Sequence, residues 1–346
     1  MIRTAVIGYG ASARIFHLPF IDLDPAFELV AVSSRQAELR TDHPHIHHYE
    51  TGPDLIAATD ADLIVITSPN DSHFPLARAA LEAGKHVLVE KPIAIRSREA
   101  ADLIKLAEAK GLTLSVFHNR RFDGDFMTLV ELVQSGAVGE VRSLESRFDR
   151  FRPVATKRWR EAAGLGNGIL FDLGPHLIDQ ALVLFGLPDA ITARCRTLRE
   201  DTEATDWFHL LLHYGDKEVS LHASPFVAAP NLRFALDGTM GSWRKYGLDP
   251  QEAARKEGRL PIGDSWGKET PEDYGFLYDG AASCPVETKA GDYRLYYRAL
   301  ADAILNDAPV PASPRDALAG LRLIELALES SEKGCTMPVP ATLRDI

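Results

Sequence analysis

No apolar stretch in this 346-residue chain approaches the roughly 20 residues that a bilayer-spanning helix needs. The opening MIRTAVIGYG runs directly into a strand pattern, without the layered zones of a secretory leader, so a cytoplasmic protein with no membrane partner is expected. Cysteine is scarce as well. Cys195, Cys284 and Cys335 lie far apart in no metal-type spacing, and three residues cannot all pair with one another, so they read as free thiols. A basic excess is also missing. With 38 Lys+Arg against 49 Asp+Glu the net charge is -11, which argues against nucleic acid as a partner but leaves room for a local phosphate site. Internal repeats and low-complexity tracts are absent.

What remains is a globular composition, 45% hydrophobic and 25% charged, over a length that suits two domains. The first 120 residues alternate apolar runs with helical patterns. TAVIG (4–8), ELVAV (28–32), DLIVITS (62–68), HVLVE (86–90) and TLSVF (113–117) show little polar alternation, as strands buried on both faces should. Helices are expected near 12–22, 71–83 and 97–110, with Asp71 and Ser97 as N-caps and Gly84 and Gly111 past the C-terminal ends. This grammar predicts a doubly wound parallel sheet, a Rossmann domain over 1–121.

Beyond residue 122 the pattern changes to an α+β domain over 122–346, expected to bind substrate and form oligomers. A helix near 123–135 ends at Gly136, a strand follows at 141–151, and a helix of about 168–185 is closed by Gly186. Long strands in succession between 189 and 245 predict an open, mostly antiparallel sheet. Residues 247–292, rich in Gly, Pro and charge, read as a surface loop or a cover over a site. Helices near 293–306 and 314–332 close the chain, the last with Ser313 as N-cap and Pro314 at its first position.

AVIGYGASA places Gly8, Gly10 and Ala13 in G-x-G-x-x-A spacing, directly after a strand and at the head of a helix. The first glycine permits a tight turn, the second lets backbone approach a pyrophosphate, and the alanine lets helix and sheet pack closely. The loop Gly8, Tyr9, Gly10, Ala11 and Ser12 is therefore a candidate cofactor contact. At the end of the second strand, where a carboxylate would hold the ribose hydroxyls of NAD, stand Ser33, Ser34 and Arg35, with Arg40 further on. Hydroxyls beside a guanidinium suit a 2′-phosphate, so NADP is expected in preference to NAD.

At the end of the fourth apolar run, Glu90 and Lys91 precede Pro92. A lysine there would point to the nicotinamide crevice and could stabilise a developing alkoxide, or it could be a plain strand exit. In FDLGPHLIDQ (171–180), Asp172 and His176 stand four apart with Pro175 between them. That spacing fits a cap with a packed histidine and an acid/base pair equally well.

The motifs G-x-G-x-x-A at 8–13, SPNDSH at 68–73, EKP at 90–92 and GNGILFDLGPHLIDQ at 166–180 together resemble the Gfo/Idh/MocA oxidoreductases. The likeness covers essentially the whole chain. LSVFHNRRFDGDF, FDRFRP...KRWRE and KYGLDPQE are most similar to the branch of NADP-dependent scyllo-inositol dehydrogenases. This resemblance implies that Lys91 is the catalytic lysine, that His176 accepts the hydroxyl proton, and that Asp172 positions or tunes His176. It implies further that Ser68, Pro69, Asn70, His73, Glu90 and Asn119 line the cofactor crevice, and that Arg158 and Trp159 approach the nicotinamide from the second domain. Oxidising a secondary alcohol needs a base near neutrality, which suits a histidine.

The expected activity is hydride transfer between NADP(H) and a secondary alcohol or ketone of a cyclic polyol or sugar, with scyllo-inositol the first candidate. An aldose or anhydro-sugar oxidoreductase and a non-catalytic NADP-binding regulator are the alternatives. Assembly as a homodimer or homotetramer through sheet packing is expected. DHPHIHHYE, with His43, His45, His47 and His48, reads as a solvated connection rather than a metal site. Arg120, Arg121, Arg150 and Arg152 could form a basic mouth or pair with Asp123, Asp125 and Asp149, and the aromatics of EDYGFLYDG and GDYRLYY could cover a sugar or simply pack.

Overall fold

The computed structural model describes residues 1–155, 162–200 and 202–345. The chain forms two compact units. The first comprises Met1–Phe122, Gln251–Trp266 and Asp292–Leu318, and the second Asp123–Pro250, Gly267–Gly291 and Ala319–Ile346.

The first unit is built on β1 (Ile2–Ile7), β2 (Phe27–Ser33), β3 (His47–Tyr49), β4 (Leu63–Ile66), β5 (His86–Val89) and β6 (Leu114–Val116). All pair in parallel, in the order β3-β2-β1-β4-β5-β6, the order of the dinucleotide-binding α/β fold. Leu63–Ile66 and Val87–Val89 are wholly buried, which is why their sequences carry no polar alternation. The helical segment after β1 starts with a wide turn, Ala13–His17, and continues as α1 (Leu18–Leu23), since Pro19 removes the N–H that would close onto Ile15.

Helices α2 (Glu38–Asp42), α3 (Gly52–Ala58), α4 (His73–Glu82) and α5 (Ser97–Lys110) follow. The two expected caps are displaced. Asp71 lies in a 3-10 turn, Asn70–Ser72, that precedes α4, and Ser97 is the first helical residue of α5, where the Glu99 carboxylate accepts the Arg96 N–H at 3.1 Å instead. The histidine-rich stretch is not all loop, because His47–Tyr49 adds β3 to the edge of the sheet.

In the second unit, α6 (Gly124–Gln134), β7 (Val141–Arg147), α7 (Ile169–Phe185), β8 (Ala190–Arg196), β9 (Trp207–His213), β10 (Glu218–Ala223), β11 (Leu232–Gly238) and β12 (Ser242–Tyr246) come in turn. Helix α8 (Gln251–Lys256) belongs to the first unit, β13 (Gly275–Tyr278) and β14 (Ser283–Val286) to the second. The expected loop at 247–292 thus holds a helix and a hairpin. Next come α9 (Arg294–Asn306), α10 (Pro314–Lys333) and β15 (Met337–Pro338). The nine-stranded sheet runs β14-β13-β12-β11-β7-β10-β9-β8-β15 and is antiparallel except for the β7–β10 pair. Leu144, Ser146, Leu210, Leu212, Val219 and Leu221 alternate onto one buried face. Arg233, at a bulge in β11, reaches from that face to Ser146 Oγ (2.9 Å) and to Gln180 Oε1 on α7 (2.7 Å).

Residues 251–266 and 292–318, expected in the second domain, cluster with the first. The reason is burial. Tyr293, Tyr296 and Tyr297 are fully inaccessible and join a core with Phe20, Phe27 and Phe117, while Gln251 Oε1 accepts from Tyr293 N (2.8 Å) and Trp266 Nε1 (3.1 Å). At the start of α10, Ser313 Oγ accepts the Arg315 N–H at 3.1 Å, the expected cap. The three cysteines are free thiols, and among the described residues no helix is long and apolar enough to cross a membrane.

Candidate active site

The carboxyl ends of β1 and β4, where the strand order reverses, form the crevice that open α/β sheets use for ligands. Gly8 turns there with φ +104°, its N–H donates to Ser33 O (3.0 Å), and a Cβ on it would sit 2.7 Å from Thr67 Oγ1. Gly10 is the opposite case, since a Cβ there would meet nothing within 4 Å. The loop is therefore packed hard on one side and open on the other, and that open side fits the pyrophosphate of a dinucleotide. Ala13 is fully buried at the helix start, as close helix–sheet packing requires.

Tyr9 turns away from that opening. Its ring is buried, edge-on to His43, and its hydroxyl donates to Asp42 Oδ2 at 2.5 Å. Burial, reinforced by Asp42, raises the phenol's pKa, so the side chain is a packing group and only its backbone is left for a cofactor. At the exit of β2, Ser33 is buried and Ser34 Oγ accepts the Gln36 N–H (3.1 Å), while Arg35 is exposed. Asp42, a carboxylate further along, is taken by Tyr9.

His73 does not line the crevice with its ring. It is fully buried, with Nδ1 2.7 Å from Pro92 O and Nε2 2.9 Å from Ser68 O, and burial lowers its pKa. A neutral ring donates to only one of these carbonyls at a time, so it ties either the EKP turn or the β4 exit to the buried ring. Ser68 Oγ pairs with Ser72 Oγ (2.5 Å), Pro69 is exposed and Asn70 half-buried. Asn119 is buried in a 3-10 turn after β6.

Glu90 and half-buried Lys91 follow β5, and the Lys91–Pro92 peptide is cis. The Glu90 carboxylate accepts the Ser12 hydroxyl, His17 Nε2 (3.1 Å) and the Lys91 backbone N–H (3.2 Å). Burial alone would raise its pKa, but His17, the Lys91 ammonium and the Ser12 hydroxyl together outweigh it and hold it at about 2. His17 was not singled out in the sequence. Its one signal there is its place two residues before Pro19, on the helix that the glycine motif opens.

In the second unit, α7 carries Asp172 and His176 one turn apart, the first half-buried and the second 7% exposed. Gly168, with φ +85°, leads into the helix, where a Cβ would meet Thr205 O at 2.5 Å. Pro175 lies in the helix interior rather than its first turn, and so denies the Phe171 carbonyl its helical donor. Leu173, Leu177 and Ile178 are buried. Arg158 and Trp159 lie outside the described residues.

Two of the four arginines pair with acids outside the set Asp123, Asp125 and Asp149. Arg120 pairs with Glu252 and hydrogen-bonds Tyr293 Oη (3.0 Å), and Arg121 pairs with Asp316 (2.8 Å). Asp149 instead meets His222 (2.8 Å), and Asp125 meets Arg233 (3.4 Å).

A 3-2-1-4-5-6 parallel sheet, a glycine turn open at Gly10 and a lysine past β5 define a nicotinamide-dinucleotide oxidoreductase with a Rossmann domain. The chain belongs to the Gfo/Idh/MocA family: residues 2–118 match its NAD-binding Rossmann fold and residues 130–340 its C-terminal alpha/beta domain. It is 44% identical to the uncharacterized oxidoreductase YdgJ of Escherichia coli (strain K12), over 97% of this chain and 98% of the other. It is 36% identical to the scyllo-inositol 2-dehydrogenase (NADP(+)) IolW of Bacillus subtilis (strain 168), over 97% and 95%. Among solved structures, the oxidoreductase YvaA of Bacillus subtilis superposes with a TM-score of 0.94 at 34% identity, covering 98% of this chain and 99% of the other.

Proposed function

We propose that this oxidoreductase uses NADP(H) and acts on a secondary alcohol or ketone of a cyclic polyol or sugar, with scyllo-inositol as the first substrate to test. The observation that carries the reading is the exit of β2, which offers Ser33, Ser34 and an exposed Arg35 with no carboxylate among them. The full-length likeness to IolW supports the same cofactor and the polyol.

In this reading the nicotinamide, when bound, accepts or returns the hydride. Arg35 and the two serines hold the 2′-phosphate, and the backbone of Gly8, Tyr9, Gly10, Ala11 and Ser12 receives the pyrophosphate. Ser68, Pro69, Asn70, Asn119, Arg158 and Trp159 are the further proposed cofactor contacts. The Lys91 ammonium stabilises the alkoxide oxygen and keeps the hydroxyl oriented. His176 takes the hydroxyl proton during oxidation and returns it during reduction, and Asp172 fixes its tautomer. The sheet face opposite α7 carries Phe276 and Tyr278, 40% and 41% exposed, which supports a homodimer or homotetramer built on that face.

The test is a panel of polyols, aldoses and ketoses with NADP and NAD, followed by the absorbance of reduced cofactor. Turnover of scyllo-inositol with NADP is expected. Lys91→Ala and His176→Ala should each lose about 10²–10⁴-fold in kcat while still binding NADPH. Folded variants with wild-type turnover would overturn the assignment.

A further inference from the structure

Behind the glycine loop and the EKP turn lies a hydrogen-bonded chain that extends beyond the family motifs to His17 and Tyr297. His17 is fully buried, tilted against Phe117 with ring centroids 4.3 Å apart, and its two nitrogens face different partners. Nδ1 lies 2.7 Å from the hydroxyl of Tyr297 on α9, and Nε2 lies 3.1 Å from Glu90 Oε1.

The direction of each bond follows from the donors. Tyr297 is inaccessible, so burial keeps its hydroxyl protonated, and that single proton goes to Nδ1 rather than to Phe16 O at 3.4 Å. His17 therefore carries its proton on Nε2 and donates it to Glu90. The same carboxylate receives Ser12 of the glycine loop and the backbone N–H of Lys91. One acidic group, 13% exposed, is thus shared by the dinucleotide loop, the helix that follows it and the residue assigned to catalysis.

We propose that His17 and Tyr297 are positioning residues of the cofactor site, which act through Glu90 to hold the Ser12 loop and Lys91 in one register. This rests on the assignment of that loop and of Lys91 to the cofactor made above. Without the His17 donor the carboxylate loses one of its fixed bonds and the Ser12 hydroxyl is no longer held at one place. Tyr297 acts one step further away by selecting the tautomer.

Two readouts test this without turnover: nitrogen NMR of labelled histidine in the cofactor-free protein, and NADPH affinity by fluorescence titration. His17 in the wild type should show the Nε2–H tautomer at neutral pH, and Tyr297→Phe, which removes one oxygen, should shift it toward a mixture. His17→Leu should weaken NADPH binding about tenfold, the scale of one hydrogen bond, whereas His17→Gln, which keeps an N–H aimed at Glu90, should stay within about threefold. Leu and Gln variants that bind NADPH alike would overturn the positioning role, as would an Nδ1–H tautomer in the wild type. Should His17→Leu not fold, the tautomer in Tyr297→Phe decides: a spectrum unchanged from wild type refutes the chain. Failure of the cofactor assignment itself looks different, because wild-type protein would then not bind NADPH at all while the tautomer result stands.

Discussion

Two alanine substitutions two residues apart should separate stability from cofactor binding. Gly8 has φ +104°, and a methyl there would meet Thr67 Oγ1 at 2.7 Å and the Thr67 carbonyl carbon and oxygen at 3.3 Å. Holding an L-residue in such backbone costs about 1–3 kcal/mol. Thr67 cannot yield freely, because its hydroxyl donates to Ile7 O (2.9 Å) and its N–H to the same carbonyl (2.9 Å). Gly8→Ala should therefore destabilise the first unit by about 3 kcal/mol and lower its thermal midpoint by several degrees. Gly10→Ala should not. It lacks a positive φ, a methyl there meets nothing within 4 Å, and the lower entropy of the unfolded chain offsets what little is lost, leaving stability within about 1 kcal/mol of wild type. Yet that methyl stands where a phosphate oxygen would approach the backbone. Losing one hydrogen bond to a charged group removes about 1.5–3 kcal/mol, so NADPH should bind roughly 10–100-fold more weakly. Differential scanning calorimetry and fluorescence titration read the two effects apart. Wild-type NADPH affinity in Gly10→Ala would refute the placement of the pyrophosphate, and an unchanged midpoint in Gly8→Ala would refute the strain argument.

Three further outcomes follow from named contacts. The carboxyl of Glu90 titrates at about 2 in the folded protein against an ordinary 4.5, so its stabilisation is complete above 4.5 and is lost as pH falls from there toward 2; thermal midpoints should drop over that window, less steeply in Glu90→Gln. Glu252, also held at about 2 by Arg120 and Lys256 against its own burial, adds to the same limb. Asp125→Asn should cost about 3–5 kcal/mol in urea unfolding, because it leaves the inaccessible Arg233 guanidinium without its buried counter-charge. Arg35→Ala should weaken NADPH about tenfold or more and leave NADH within about twofold, and equal loss for both cofactors would show that Arg35 does not meet the 2′-phosphate.

The strands of the first sheet were readable because burial on both faces removes polar alternation, as in Leu63–Ile66. β3 was not, since three part-exposed residues, His47–Tyr49, carry no apolar run. Caps depend on one local competition each. At α5 the Glu99 carboxylate reaches the Arg96 N–H and moves the helix start by one residue relative to the serine. Which unit a late segment joins is a matter of long-range burial, and nothing near Tyr293, Tyr296 or Tyr297 in sequence says that they enter the core beside Phe20 and Phe117. Motifs located the glycine loop and the EKP turn, but a motif does not say which way a ring points. Tyr9 and His73 lie within the expected cofactor segments, and both rings are spent on the protein itself.

That inward use of side chains has a physical consequence for the site. The glycine loop is tied to Ser33 O through Gly8 N–H, to Asp42 through Tyr9 and to Glu90 through Ser12, three anchors at the end of β2, the end of α2 and the exit of β5. None of the three bonds consumes the open side at Gly10. A loop already fixed in this way has little conformational entropy left to lose when a dinucleotide arrives, so more of the phosphate contact energy appears as affinity. On the proposed placement of the cofactor, the polar side chains of the motif region serve it indirectly by holding backbone amides still, and the glycines leave those amides accessible.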